Sequence, residues 1–172
     1  YFANFLFSRL RHYNIQAIPV IGLDRSEHAD YLDAVRTTIS TDKRGVCIRL
    51  LHEDIEIPSD TYRNVDVLIR MLGLSKTNVH LLMDFRSIYE KDCRQLLEMA
   101  TDFLSNLPRF KEWMTITLSA SGFPENLGGV LPRSIEALPR TELDLRGHLI
   151  ARKRAIPRFP TFSDYGICHP DL

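Results

Sequence analysis

Residues 79–86 read VHLLMDFR, and this stretch decides the fold. Its interior is apolar apart from His80, and it ends on an acid and a base, Asp84 and Arg86. That pattern predicts a buried strand with charge at its carboxyl end. The same unit recurs on both sides of the stretch, as a short apolar run, polar residues and then an amphipathic helical segment. Such repetition predicts an α/β fold in which helical crossovers join parallel strands.

Working outward from this stretch, the sequence predicts alternating strands and helices. The strands are expected at residues 17–23, 45–51, 79–86, 113–119 and 162–167. Apolar residues at helical spacing predict helices within residues 2–10, 32–39, 65–72, 93–107 and 142–150. Pro58 supplies the start of the third helix, Gly73 a stop for it, and Thr141 a cap for the last one.

Alternation along the strands bears on the choice between two architectures. In three of the predicted strands one face is apolar, whereas the other carries polar groups such as Arg49, His80 and Thr117. Five strands would fit an open doubly wound sheet, but that sheet is covered by helices and apolar on both faces. A barrel lumen accepts polar side chains near its top. The pattern therefore favours a partial TIM-like (β/α) barrel containing about the last five of eight units.

Domain organisation follows from this fold. A chain of 172 residues has about the length of one domain, and no linker interrupts it. We expect residues 1–172 to form a single domain, the C-terminal portion of a barrel. A complete barrel requires about three further units, which are expected before Tyr1.

Composition narrows the classes of function. Lys and Arg number 22, as do Asp and Glu, so the formal net charge is zero. This balance argues against nucleic-acid binding, although residues 152–154 form a small basic patch. No apolar run approaches the roughly 20 residues of a membrane helix, and three cysteines are too few for a disulfide framework. We expect a cytoplasmic protein with reduced thiols and no membrane span.

In a barrel, a functional site lies where the carboxyl ends of the strands meet. This rule places a set of charged and hydroxyl side chains on one rim, namely Asp24, Arg25, Arg49, His52, Asp84, Arg86, Ser119, Ser121, Asp164 and His169. Guanidinium groups, an imidazole and carboxylates together can bind an anionic substrate, with Asp84 as a base or a metal ligand. No sequence motif identifies a cofactor.

Several of these residues also have a purely structural interpretation. Asp84 and Arg86 can pair with Arg49 or Asp24 in a buried network. His80 lies in mid-strand and is interpreted as a core histidine.

The remaining histidines and a cysteine have structural interpretations too. His52 is followed by acidic residues and is interpreted as part of a solvated loop. Cys168 and His169 are adjacent, so their side chains point apart, which disfavours a metal site.

The C-terminal half contains several recognisable motifs, namely SGFPE at residues 121–125, LPRTE at 138–142, PRFP at 157–160 and SDYGI at 163–167, followed by His169 and Pro170. In these motifs the chain resembles the Beta protein family of phages and bacteria. Residues 18–20, 47–50 and 82–85 are similar to that family as well. The family is functionally uncharacterised, so the resemblance implies a fold and a source rather than an activity. The family's opening Lys-x-Gly-Glu element is absent here, which implies an incomplete active site.

Two motifs within this resemblance have direct physical interpretations. Glu142 at a helix start is favoured by the helix dipole. Arg140 can pair with Asp164 or point into the rim. Asp164 can accept backbone N–H bonds that close its loop, or it can take part in a site.

These observations predict an enzyme-like barrel that binds an anionic ligand, with phosphate-bearing compounds as one candidate class. Arg49, Arg86 and Arg140 are expected to bind the anion, because guanidinium groups suit phosphate and carboxylate. Asp84 and Asp164 are expected to serve as acid–base groups or to hold a divalent metal. The other expected ligand-binding residues are Ser119, Glu142 and His169.

A second hypothesis is a non-catalytic, phage- or defence-associated interaction module. In that case the rim charges form a structural network, and residues 157–162, rich in proline and aromatic residues, form the binding surface. The two hypotheses differ in geometry, because a site requires an open pocket whereas a network requires mutually paired charges. The sequence does not specify the oligomeric state.

Overall fold

The computed structural model describes residues 2–129, 131, 133–166 and 169–170. Its centre is a five-stranded parallel sheet in which the strands follow one another in sequence order. The strands are β1 Val20–Gly22, β2 Val46–Leu51, β3 Val79–Ser87, β4 Thr115–Ser121 and β5 Thr161–Ser163. The α/β prediction is confirmed. A doubly wound sheet reverses its strand order at a switch point, and the order of these strands does not reverse.

The helices lie between the strands as predicted, with one addition. They are α1 Phe2–His12, α2 Ala29–Asp42, α3 His52–Glu56, α4 Pro58–Met71, α5 Cys93–Asn106 and α6 Thr141–Ala151. The short helix α3 was not predicted. No helix in the described part of the chain combines the length and the apolar character needed to cross a membrane.

The ends of the helices follow the residues that mark them. Pro58 is the first residue of α4, and Gly73 adopts a φ of 67° after its last turn. At the start of α5, the side chain of Asp92 accepts a hydrogen bond from the backbone N–H of Arg94. The prediction that Thr141 caps the last helix is wrong by one residue, because Arg140 occupies the cap position.

The two faces of the sheet differ as the alternation predicted. The apolar residues of β2 and β3 that face the helices are almost fully buried, namely Val46, Ile48, Leu50, Val79, Leu81, Met83 and Phe85. They form one core cluster with apolar residues of α2, α4, α5 and α6. On the opposite face, Cys47, Arg49 and His80 are only half-buried. The sheet therefore presents one covered face and one partly open, polar face.

The first strand is shorter than predicted because of Pro19. Proline has no N–H to donate, and Pro19 precedes β1 and contributes only its carbonyl, which accepts a hydrogen bond from the Cys47 N–H at 2.9 Å. The last strand is also shorter than predicted, covering three residues. The predicted end of that strand, Ile167, lies outside the described residues.

The environment of His80, on the polar face of the sheet, predicts that the stability of the protein depends on pH. Its Nδ1 lies 2.9 Å from Thr115 Oγ1, whereas its buried Nε2 has no partner among the described residues. Burial lowers the pKa of His80 below its ordinary 6.5, so the unfolded chain binds a proton more readily than the folded chain. The contribution of His80 to stability is therefore complete above pH 6.5 and is lost as the pH falls towards the lower, folded pKa.

Urea unfolding between about pH 8 and about pH 5 measures this effect. His80→Gln is expected to reduce the loss of stability on acidification. The exposed His12, at the end of α1, provides the control variant His12→Gln, which is expected to follow the wild-type curve. If the stability of His80→Gln falls with decreasing pH as steeply as that of the wild type, the buried imidazole does not control the pH dependence of stability.

Candidate functional site

The centre of the rim is the carboxylate of Asp84, which is 2% exposed. Its Oδ2 accepts hydrogen bonds from Nε of Arg49 at 2.7 Å and from the hydroxyl of Tyr165 at 2.5 Å, and Nη2 of Arg49 lies 2.7 Å from the same oxygen in an ion pair. Its Oδ1 accepts the backbone N–H of Arg86 at 2.9 Å. We call Arg49, Asp84, Tyr165 and the Arg86 backbone the Asp84 network. It joins the ends of β2 and β3 to the segment after β5.

A bulge at the end of β3 makes this network possible. The pairing of β3 with β4 shifts register between Asp84 and Ser87, and Arg86 adopts a φ of 54°. This left-handed conformation is uncommon for a residue with a side chain, and such residues concentrate at functional sites. The hydrogen bond from the Arg86 N–H to Asp84 stabilises the bulge, which directs the side chain of Arg86 away from the core.

Contacts within the Asp84 network favour the charged form of Arg49 and the protonated form of Tyr165. Burial works against the charged form of Arg49, but the hydrogen bond and charge of Asp84 raise the pKa of Arg49 above its ordinary value. Burial, together with the hydrogen bond to Asp84, raises the pKa of Tyr165 to about 12. At neutral pH, Tyr165 is therefore a protonated donor and Arg49 a cation.

A cleft of about 320 Å³ opens beside the bulge, between the ends of β2 and β3. We call it the β2–β3 cleft, and its lining residues are His52, Glu53, Phe85, Arg86, Ser87, Lys91 and His169. Four of these side chains carry nitrogen donors, whereas Glu53 carries a carboxylate. Two predicted site residues, Arg86 and His169, therefore lie in one cleft.

The interpretation of His52 as part of a solvated loop is wrong. His52 is the first residue of α3, is half-buried and lies with its ring 6.1 Å from that of Phe85. Its Nδ1 is buried and has no hydrogen-bond partner among the described residues. A buried N–H without a partner is less well tolerated than a lone pair, so the tautomer with its proton on Nε2 is favoured.

A second cleft, of about 220 Å³, lies on the other side of β2. We call it the β1–β2 cleft, and its lining residues are Val20, Gly22, Asp24, Arg25, Tyr31, Arg49 and Leu51. The guanidinium of Arg25 lies 5.7 Å from the ring centre of Tyr31. The hydroxyl of Tyr31 donates to the carbonyl of Val20 at 2.5 Å, which fixes that ring against β1.

Three further predicted residues form a separate cluster at the start of α6. Arg140 binds the carboxylates of Glu142 and Asp164, with a distance of 2.9 Å from Arg140 Nη2 to Asp164 Oδ2. Glu142 is buried and accepts the backbone N–H of Gly122 at 2.8 Å, and its hydrogen bond and charge raise the pKa of Arg140. The predicted pairing of Arg140 with Asp164 is confirmed. The cluster ties the loop after β4 to the segment after β5.

The remaining predicted residues are placed as follows. Ser119 is buried on β4 and stands in register with Asp84 of β3 and Ser163 of β5. Cys168 lies outside the described residues, so the Cys168–His169 pair is not described. Within the described ranges, no three His, Cys, Asp or Glu side chains are grouped in a way that could hold a metal ion.

Sequence reasoning missed two residues of the rim. Tyr165 was noticed only as part of the SDYGI motif, although its hydroxyl contacts Asp84, which lies 81 positions earlier. Lys91, in the loop after β3, carried no signal beyond its charge. The acid–base roles of Asp84 and Asp164 stay predictions.

Comparison with known proteins identifies one family. A family model described as Beta protein matches residues 2–172. No curated protein matches the chain, and no solved structure does. The match extends across all the helices and strands described above, including both clefts and the Arg140 cluster.

Proposed function

The chain belongs to the Beta protein family, and we propose that it is an enzyme-like barrel that binds an anionic ligand at its strand ends. The observation that carries this proposal is the β2–β3 cleft, where the described lining brings Arg86, Lys91, His52 and His169 together beside the carboxylate of Glu53. Such a concentration of nitrogen donors among the described lining residues favours an anion.

Phosphate-bearing compounds are the proposed ligand class. A guanidinium presents paired donors that match two phosphate oxygens, and Lys91 adds a second, compact cation. The Nε2–H of His52 supplies a further donor. The buried Phe85 provides an apolar wall to the same cleft. Together these groups suit a phosphate attached to a small organic body.

The barrel is part of the same proposal. Its support is the unbroken, parallel sequence order of the five strands and the polar, half-buried face of the sheet. Residues 1–172 would then form a single domain whose functional site lies at the strand ends. The two clefts lie at those ends, as this architecture requires.

We propose different roles for the two aspartates. Asp164 is 38% exposed and can exchange a proton with a bound ligand. Asp84 is almost fully buried, and its acid–base role would be exerted next to Arg49 and Tyr165. Arg140, Glu142 and Ser119 would hold these elements in place.

Calorimetric titration with inorganic phosphate and pyrophosphate tests the proposal. We expect Arg86→Gln and Lys91→Gln each to weaken binding at least about tenfold, because each removes a cation from the cleft. Arg94→Gln is the matched control, since the side chain of Arg94 is 83% exposed on α5 and forms a surface ion pair with Glu98. The control should bind like wild type. Unchanged affinity in both cleft variants would contradict the proposal.

The second candidate function is a non-catalytic interaction module. Exposed apolar side chains favour it, namely Leu127, Leu131, Ile135 and Phe159. Within the predicted binding surface, however, Arg158 donates to the carbonyl groups of Trp113 and Met114, which ties residues 157–162 to the sheet. A wild-type protein that binds neither phosphate nor pyrophosphate would favour this second function.

A further inference from the structure

We infer that the β1–β2 cleft is a second anion subsite and that the ligand carries two anionic groups, one for each cleft. This inference rests on the proposed function, because the β2–β3 cleft supplies the first subsite. It adds the class of ligand, a bis-anionic small molecule with separated charges.

The donors of the second subsite are Arg25 and Arg49, both of which line the β1–β2 cleft. Arg49 uses Nε and Nη2 to bind Asp84, yet its side chain remains 35% exposed. The guanidinium of Arg25 lies over the ring of Tyr31, whose hydroxyl is bound to β1. Asp24 opposes Arg25 at 3.9 Å in an exposed pair of little strength, and the buried Asp84 opposes Arg49. The cleft therefore offers two oriented guanidinium groups.

The Asp84 network connects the two clefts. One carboxylate oxygen fixes Arg49, which lines the β1–β2 cleft, and the other holds the backbone of Arg86, which lines the β2–β3 cleft. Asp84 is thus a positioning residue for an arginine in each cleft. The walls of the clefts also adjoin along the chain, because Leu51 lines one and His52 lines the other.

Asp84 keeps the two arginines close together. The Nε of Arg49 donates to one carboxylate oxygen of Asp84 at 2.7 Å, and the backbone N–H of Arg86 donates to the other at 2.9 Å. The guanidinium of Arg49 therefore lies near the backbone of Arg86, so one small ligand can place an anionic group in each cleft.

The test compares alkane bisphosphonates of graded chain length with monophosphonates of the same chain lengths, so that the alkyl contribution cancels. We expect the wild-type protein to bind the bisphosphonate at least about tenfold more tightly. Arg25→Gln should reduce the ratio of the monophosphonate Kd to the bisphosphonate Kd to near unity, whereas the control Arg94→Gln should preserve this ratio. Asp24→Asn should increase it, because the variant removes a negative charge from the cleft.

Failure of this inference can be distinguished from failure of the proposed function. If the wild-type ratio is near unity, or if Arg25→Gln keeps the full ratio, the second subsite is overturned. If Arg86→Gln binds both probes as tightly as wild type, the first subsite fails instead. Urea unfolding checks that each variant folds. Because both affinities are measured on the same variant, an inactive fraction of the protein affects them alike and leaves their ratio unchanged.

Discussion

Replacing Asp84 with alanine is expected to lower the free energy of unfolding by about 3 kcal/mol. The change removes the carboxylate that accepts hydrogen bonds from Arg49, Tyr165 and the Arg86 N–H. The loss stays at the lower end of the range for broken buried pairs because Arg49 is 35% exposed and can turn to water. Urea unfolding followed by circular dichroism measures it.

Two further variants separate charge from shape at this position. Asp84→Asn keeps an oxygen that can accept the Arg86 N–H but loses the charge, so its cost should be smaller than that of Asp84→Ala. Asp33→Ala is the matched control, because Asp33 is 72% exposed and its partner Arg36 is also exposed. It should change stability by less than about 0.5 kcal/mol. A similarly small change in Asp84→Ala would show that the network does not stabilise the fold.

The parts of the fold that sequence predicts are those governed by local pattern. Period-two alternation in residues 79–86 defined which side chains of β3 face the core, because a strand places successive residues on opposite faces. Helix α3 was not predicted because its sequence, HEDIE, is too short to show helical periodicity. Pro19 shortened β1 through a property of one residue, its missing N–H, that was visible in the sequence.

Sequence predicts only those contacts of the site that arise because the carboxyl ends of parallel strands lie at the same edge of the sheet. That rule places Arg49 and Asp84 on one rim, where their opposite charges predict the observed pairing. The left-handed conformation of Arg86 depends instead on the register of β3 against β4, which no local pattern encodes. The contact of Tyr165 with Asp84 likewise depends on where the chain leads after β5. The division of the rim into two clefts follows from these long-range contacts.

Phe85→Ala is expected to produce the largest loss of stability, about 4 kcal/mol. Phe85 is 1% exposed and is among the largest fully buried side chains of the described core. Alanine would remove its buried apolar surface and leave a cavity beside His52. The loss is a large share of the roughly 5–15 kcal/mol that stabilises a typical domain, so urea unfolding should show a marked fall in the midpoint.

The control variants for Phe85 test whether the core and the cleft are coupled. Phe2→Ala, at a side chain 79% exposed on α1, should leave the midpoint almost unchanged. Phe85→Leu keeps most of the buried surface and should cost less than half as much as Phe85→Ala. Because Phe85 also lines the β2–β3 cleft next to Arg86, Phe85→Leu should weaken phosphate binding less than Arg86→Gln does. If Phe85→Leu weakened phosphate binding more than Arg86→Gln, the shape of the apolar wall rather than the cation would control affinity.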